Sequence, residues 1–121
     1  MSMDDDTTIE SLKRAVIAFR DERDWRPFHD VRNLAMGLSI ESAELLEGFL
    51  WKSDEQIDLM LRGEEARAVR HELADVMVYL LYLSEATGID LASAVREKIA
   101  LNAVRYPIDK ARGSNKKYTE L

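Results

Sequence analysis

Two of the most apolar stretches of this sequence are each interrupted by a pair of carboxylates three residues apart. Glu41 and Glu44 fall within residues 34–51, and Glu72 and Asp75 within residues 71–83. A spacing of three places both members of a pair on one helical face, a turn apart, whereas in a strand they would point to opposite faces. A carboxylate in an apolar run is costly to bury unless a partner or a cation compensates it. The chain is therefore restricted to helices whose acidic stripes can face one another. Two pairs on two helices predict one site between them.

The remainder of the chain suits that restriction. At 121 residues it is one domain, and five glycines and two prolines leave little room for turn-rich β architecture. No strand alternation persists and no solenoid-length repeat is visible, so the fold is all-α: four main helices of a four-helix bundle type, plus a short one. Residues 1–8 are expected to be disordered. Asp6 or Thr7 can cap a first helix running to about Arg23, with Ile9, Leu12, Ala15, Val16 and Phe19 at core spacing. Pro27 breaks the pattern, and the connector Trp25, Arg26, Pro27, Phe28, His29 is either a loop folded onto the core or a ligand-facing loop. Asp30 caps a second helix ending near Trp51. Ser53 with Gln56 forms a capping box for a short helix over residues 54–61. A long helix follows over residues 64–86, with Gly88 at its left-handed stop. Asp90 caps a last helix to about Tyr106, which Pro107 ends. Residues 9–107 thus form the helical domain, and residues 108–121 a polar tail, basic at Lys110, Arg112, Lys116 and Lys117.

Charge excludes some functions. A net charge of −6 and a pI near 4.9 argue against a nucleic-acid partner, because phosphate backbones need a basic face. A small phosphorylated ligand stays possible if divalent cations bridge it to acidic groups. The absence of cysteine removes disulfides, zinc–thiolate sites and cysteine nucleophiles. The longest apolar run, residues 76–83, is too short to span a bilayer, so no membrane partner is expected. Residues 1–8 are acidic and polar and hold no signal-peptide core, so a cytoplasmic protein is expected.

On the second helix Glu41, Glu44, Gly48 and Trp51 form a single stripe, and Glu72, Asp75 and Tyr79 form a matching one on the long helix. If the two pack antiparallel, four anions converge and repel one another by several kcal/mol per pair at an effective dielectric of about 20. A cation among them relieves this, and all-oxygen ligation without Cys or His selects a hard ion, Mg²⁺ or Mn²⁺. A di-iron carboxylate bundle would need Glu-x-x-His pairs, which are absent; His71 points about 100° away from Glu72 around the helix. Glu47 and Glu85 read as ordinary solvated residues. Trp51 and Tyr79 are each compatible with core or interface packing, but beside a metal site their faces also suit a nucleobase.

The pattern Glu41-x-x-Glu44 followed by Glu72-x-x-Asp75 resembles the all-α nucleotide pyrophosphohydrolases of the MazG-like superfamily. Many members carry a further glutamate just before the first pair, where this chain has Ile40. The flanks narrow the likeness to the dCTP-pyrophosphatase branch: Glu22-Arg23-Asp24-Trp25 with Phe28-His29, Arg32-Asn33-Leu34, Leu50-Trp51-Lys52, Asn102 with Arg105-Tyr106-Pro107, and the terminal Lys117-Tyr118-Thr119-Glu120-Leu121. The resemblance implies Mg²⁺-dependent hydrolysis of a nucleoside triphosphate, dCTP or a modified dCTP, to the monophosphate and pyrophosphate by a homo-oligomer, commonly a tetramer. It implies that Glu41, Glu44, Glu72 and Asp75 are metal ligands, and for in-line attack by water Glu41 or Glu44 is the expected general base. Trp25, Arg26, Pro27, Phe28, His29, Trp51 and Tyr79 are then the nucleotide pocket, and Asn102, Arg105, Lys116 and Lys117 the phosphate grip. The tail lysines read equally well as a solvated end. A shorter, different linker after Trp51 bears on base preference more than on chemistry. The second class of function open to this sequence is a non-catalytic all-α nucleotide-binding or interaction module.

Overall fold

The computed structural model describes residues 2–121, and among them every regular element is helical. In order these are α1 (Met3–Asp6), α2 (Ile9–Asp21), a 3-10 turn (Arg26–Phe28), α3 (Val31–Glu47), α4 (Asp54–Arg62), α5 (Ala66–Thr87), α6 (Leu91–Arg105), α7 (Ile108–Ala111) and a 3-10 turn (Tyr118–Glu120). Two compact units result, one ending at Gly88 and the other running from Ile89 to Leu121.

Most boundaries follow from side chains that satisfy orphan backbone groups. Thr8, Asp30, Ser53 and Asp90 each accept a hydrogen bond from the backbone N–H three residues on, opening α2, α3, α4 and α6. Gln56 completes the capping box by accepting from the Ser53 N–H at 2.8 Å. Gly88 takes φ 71°, the left-handed conformation that ends α5. The segment expected to be disordered differs: Ser2 and Asp5 form a capping box around the single turn α1, while Met1 lies outside the described residues.

Two other expectations are corrected. α2 stops at Asp21 rather than near Arg23, because Asp24 turns left-handed at φ 53°. Pro27 lies in the first turn of a 3-10 helix, where its missing N–H costs nothing. α3 stops at Glu47 rather than near Trp51. Beyond it the chain tightens into a turn, with the Phe49 N–H bonding the Leu46 carbonyl, and Trp51 closes the turn with φ 65°.

Within the first unit α5 is the central element, flanked by α3, α2 and α4. Leu34 and Leu81 are each 2% exposed and, with Met60 and Tyr82, form the buried apolar core of the described residues. α2 crosses the C-terminal third of α5. The Tyr82 hydroxyl donates to the Val16 carbonyl at 3.0 Å, and Lys13 reaches Ser84. Arg20, only 4% exposed, pairs with Asp21 at 2.9 Å and with Glu85 at 3.2 Å. That pairing makes burial of a guanidinium tolerable. Among the described residues no helix is long and apolar enough to cross a membrane.

In the second unit the tail returns to the end of α6. The Tyr106 and Tyr118 rings meet edge to face at 5.9 Å, and the Arg105 guanidinium lies 4.9 Å from the Tyr118 ring.

Candidate active site

Along α5, Ala68, Glu72, Asp75, Tyr79 and Tyr82 recur every three or four residues and form one continuous face. The facing residues of α3 run the other way. Glu41 adjoins Glu72 and Asp75, and Gly37 adjoins Tyr79, so the two helices are antiparallel. Their shared groove has an acidic middle, an aromatic end and a cavity at the opposite end.

In the acidic middle, Glu41, Glu72 and Asp75 each offer an oxygen within 4.8 Å of the others. Glu41 and Glu72 are half-buried and Asp75 is exposed. One oxygen of Glu41 and one of Glu72, Oε2 in each, is buried without a hydrogen-bond partner. Burial pushes the Glu41 carboxyl up to about 7, helped by the Glu44 and Glu72 carboxyls against it and by the Asp75 charge. Glu44 therefore touches Glu41 but stands outside the three-oxygen set. Orphaned carboxylate oxygens held this close fit a hard divalent cation, since all donors are oxygen and the crowding is relieved only by positive charge.

At the aromatic end, Tyr79 and Tyr82 meet edge to face at 6.4 Å, and His29 stands on Tyr82 at 4.5 Å. Burial, and then the Arg20 charge, hold the His29 pKa below its usual value, so the imidazole is neutral near pH 7; its Nδ1 is buried without a partner. His29, Arg26 and Pro27 line a cavity of about 430 Å³ with Arg20 and Glu85. Trp25 packs edge to face on Phe19 at 5.8 Å, and Phe28 is exposed. The connector thus divides: His29 joins the groove's aromatic end, while Trp25 stacks on α2.

A cavity of about 410 Å³ continues the groove past Glu44 and Glu72, lined also by Gly48, Lys52, Met60 and Glu65. Trp51 is 96% exposed, pointing into solvent beside this end. Asn102, Arg105, Lys116 and Lys117 belong to the second unit. Asn102 is half-buried on α6, and both lysines are exposed. Sequence reasoning did not place Tyr82, Gly37, Lys52 and Glu65 along this groove, where the structure brings them. Continuing the stripe Glu72, Asp75, Tyr79 by three residues would have found Tyr82; Lys52 stood in the motif Leu50-Trp51-Lys52 without a role, and Gly37 and Glu65 carry no local signal.

The sequence profile of the MazG-like family matches residues 37–121. The chain is 41% identical over 121 residues to dCTP pyrophosphatase 1 of Rattus norvegicus, covering 99% of this chain and 71% of that protein. It is 43% identical over 115 residues to dCTP pyrophosphatase 1 of Mus musculus, covering 94% and 68%. A crystal structure of a pyrophosphatase from Archaeoglobus fulgidus superimposes with a TM-score of 0.75 at 39% identity, covering 82% of this chain and 92% of that one.

Proposed function

This chain belongs to the MazG-like family, and from that premise we propose that the nucleoside triphosphate pyrophosphohydrolase it forms takes dCTP, or a base-modified dCTP, and releases dCMP and pyrophosphate. The relatives named dCTP pyrophosphatase 1 support that substrate. The observation that carries the reading is the trio Glu41, Glu72 and Asp75 within 4.8 Å, with two buried oxygens lacking partners. Mg²⁺, with Mn²⁺ as a substitute, suits these donors. Bound there, it would supply neutralisation of the triphosphate charge that builds in the transition state.

The side chains divide the remaining work. Glu41, Glu72 and Asp75 would hold the ion. Glu44, beside Glu41 but outside the trio, is placed to accept a proton from the attacking water and return it to solvent. Tyr79 and His29 form the wall for the base, with the imidazole held neutral by burial. Asn102, Arg105, Lys116 and Lys117 are the candidates to grip the phosphates. Stacking on an aromatic face contributes roughly 1–3 kcal/mol.

The subunit is a bundle-type protomer of a homotetramer working in the cytoplasm on free nucleotide. Exposed apolar stripes support association: Leu73, Met77 and Leu80 along α5, and Met36 and Ile40 on α3. Trp51, solvent-facing in its own chain, is then available to a nucleotide held by a neighbouring copy.

The test is pyrophosphate release from a panel of deoxynucleoside triphosphates with Mg²⁺ or with a chelator. The expected result is release from dCTP with Mg²⁺ alone. Absence of release from every nucleotide would leave a binding module in place of an enzyme.

A further inference from the structure

The groove has a direction, and the direction assigns its far end. Along α5 the aromatic pair Tyr79 and Tyr82 comes last, the carboxylates Glu72 and Asp75 lie before it, and Ala68 and Val69 on the cavity wall come first. At 1.5 Å per residue, Tyr79 stands about 10 Å from Glu72, and Ala68 about 6 Å beyond Glu72 on the other side. A nucleoside triphosphate is itself linear: base, sugar, then phosphates. With its base against Tyr79 and its α-phosphate at the carboxylates, its β- and γ-phosphates enter the cavity of about 410 Å³ between α3, α4 and α5.

That cavity is otherwise hostile to phosphate, since Glu44, Glu65 and Glu72 all line it. Among the described residues Lys52 is the one cationic side chain on its wall. Among the described residues its ammonium donates to the Gly48 carbonyl at 2.9 Å and pairs with no carboxylate. An ammonium has three donors, so two stay available after that bond. The carbonyl anchors Lys52 on the cavity wall, because Gly48 lines the same cavity.

We propose that Lys52 binds the β- and γ-phosphates of the substrate and carries the charge of the departing pyrophosphate. In the reaction, a water oxygen forms a bond to the α-phosphorus, and the bond from that phosphorus to the bridging oxygen of the β-phosphate breaks. The electron pair goes to the bridging oxygen, and the water proton goes to the Glu44 carboxylate. Charge therefore grows on the pyrophosphate, at the end of the groove where Lys52 stands. This assignment rests on the hydrolase reading above.

A purely structural role for Lys52 is to cap the last turn of α3 through the Gly48 carbonyl. The two roles separate by experiment. Inorganic pyrophosphate and dCMP are each titrated, with Mg²⁺, into the wild-type protein and into Lys52→Met and Lys52→Arg, and dCTP turnover is followed in all three. Loss of a charged hydrogen bond predicts pyrophosphate binding weakened about tenfold or more in Lys52→Met, with dCMP affinity held within about twofold. The kcat for dCTP falls, and Lys52→Arg recovers most of both losses. Unchanged pyrophosphate affinity in Lys52→Met, or a parallel loss for dCMP, overturns the assignment of Lys52 while leaving an active wild type as a hydrolase. A wild-type protein that releases pyrophosphate from no nucleotide overturns the hydrolase reading and this assignment together.

Discussion

Glu41 concentrates the cost of building the acidic middle. An acid whose pKa is raised on folding binds more protons folded than unfolded in the interval between its two values. For Glu41 that interval runs from its ordinary 4.5 to about 7, so its burial is uncosted below the interval and increasingly destabilising as pH rises through it. In chelator, the melting temperature of the wild-type protein should fall between pH 5 and pH 8 by more than that of Glu41→Gln, which cannot ionise; parallel curves for the two would show that Glu41 is not the group responsible. Asp75 acts on the same carboxyl, because its charge is one of those raising it. Asp75→Ala should therefore ease the metal-free protein at neutral pH, yet disable the enzyme. Changes behind a metal's direct ligands cost 10–100-fold, so loss of a direct ligand should lower kcat/KM by more than about a hundredfold, with far-UV circular dichroism unchanged. Retained turnover in that variant would remove Asp75 from the site.

At the scale of the helices, the face-to-face contact of α3 and α5 depends on a glycine. A Cβ built on Gly37 would lie inside the contact distance of the Tyr79 ring, so only Gly37 lets that ring rest directly on α3. Gly37→Ala should push the ring aside at a cost of about 1 kcal/mol in stability. With a base wall displaced, KM for dCTP should rise roughly five- to tenfold while kcat changes less; urea midpoints and steady-state kinetics check both. What was legible in the sequence at this scale is what local chemistry determines. Asp30, Ser53 and Asp90 cap where their side chains indicate, and Gly88 stops α5 as a glycine should. α3 ends short of Trp51 because the chain tightens after Leu46, with the Phe49 N–H on the Leu46 carbonyl, and no residue type from Gly48 to Trp51 announces that turn or the left-handed Trp51 that follows it. The acidic stripes were legible because the three-residue spacing is itself the geometry. Arg20 meeting Glu85 and Gly37 admitting Tyr79 were not, because each joins residues more than forty apart that only packing brings together.

For the molecule as a whole, ligand binding and folding are linked. A divalent ion that relieves the carboxylates binds the folded state and not the unfolded one, and at a hundred times its dissociation constant it adds about 2.7 kcal/mol. Mg²⁺ at millimolar concentration should therefore raise the melting temperature, by roughly 2–8 °C per kcal/mol for domains of this order of size. An unshifted thermal scan would speak against strong ligation at Glu41, Glu72 and Asp75.

The interior described above is thin. Among the described residues four apolar side chains, Leu34, Met60, Leu81 and Tyr82, are buried, while Leu73 is 55% and Ile40 56% exposed on the same helices that supply the groove. If copies of the chain cover those stripes, as the proposed tetramer requires, a lone subunit so sparsely filled has little intrinsic stability and draws the rest from association. Dilution should then act as a denaturant: the midpoint of thermal unfolding should descend as chain concentration is lowered, and the catalytic groove should loosen at the same dilution at which the copies part.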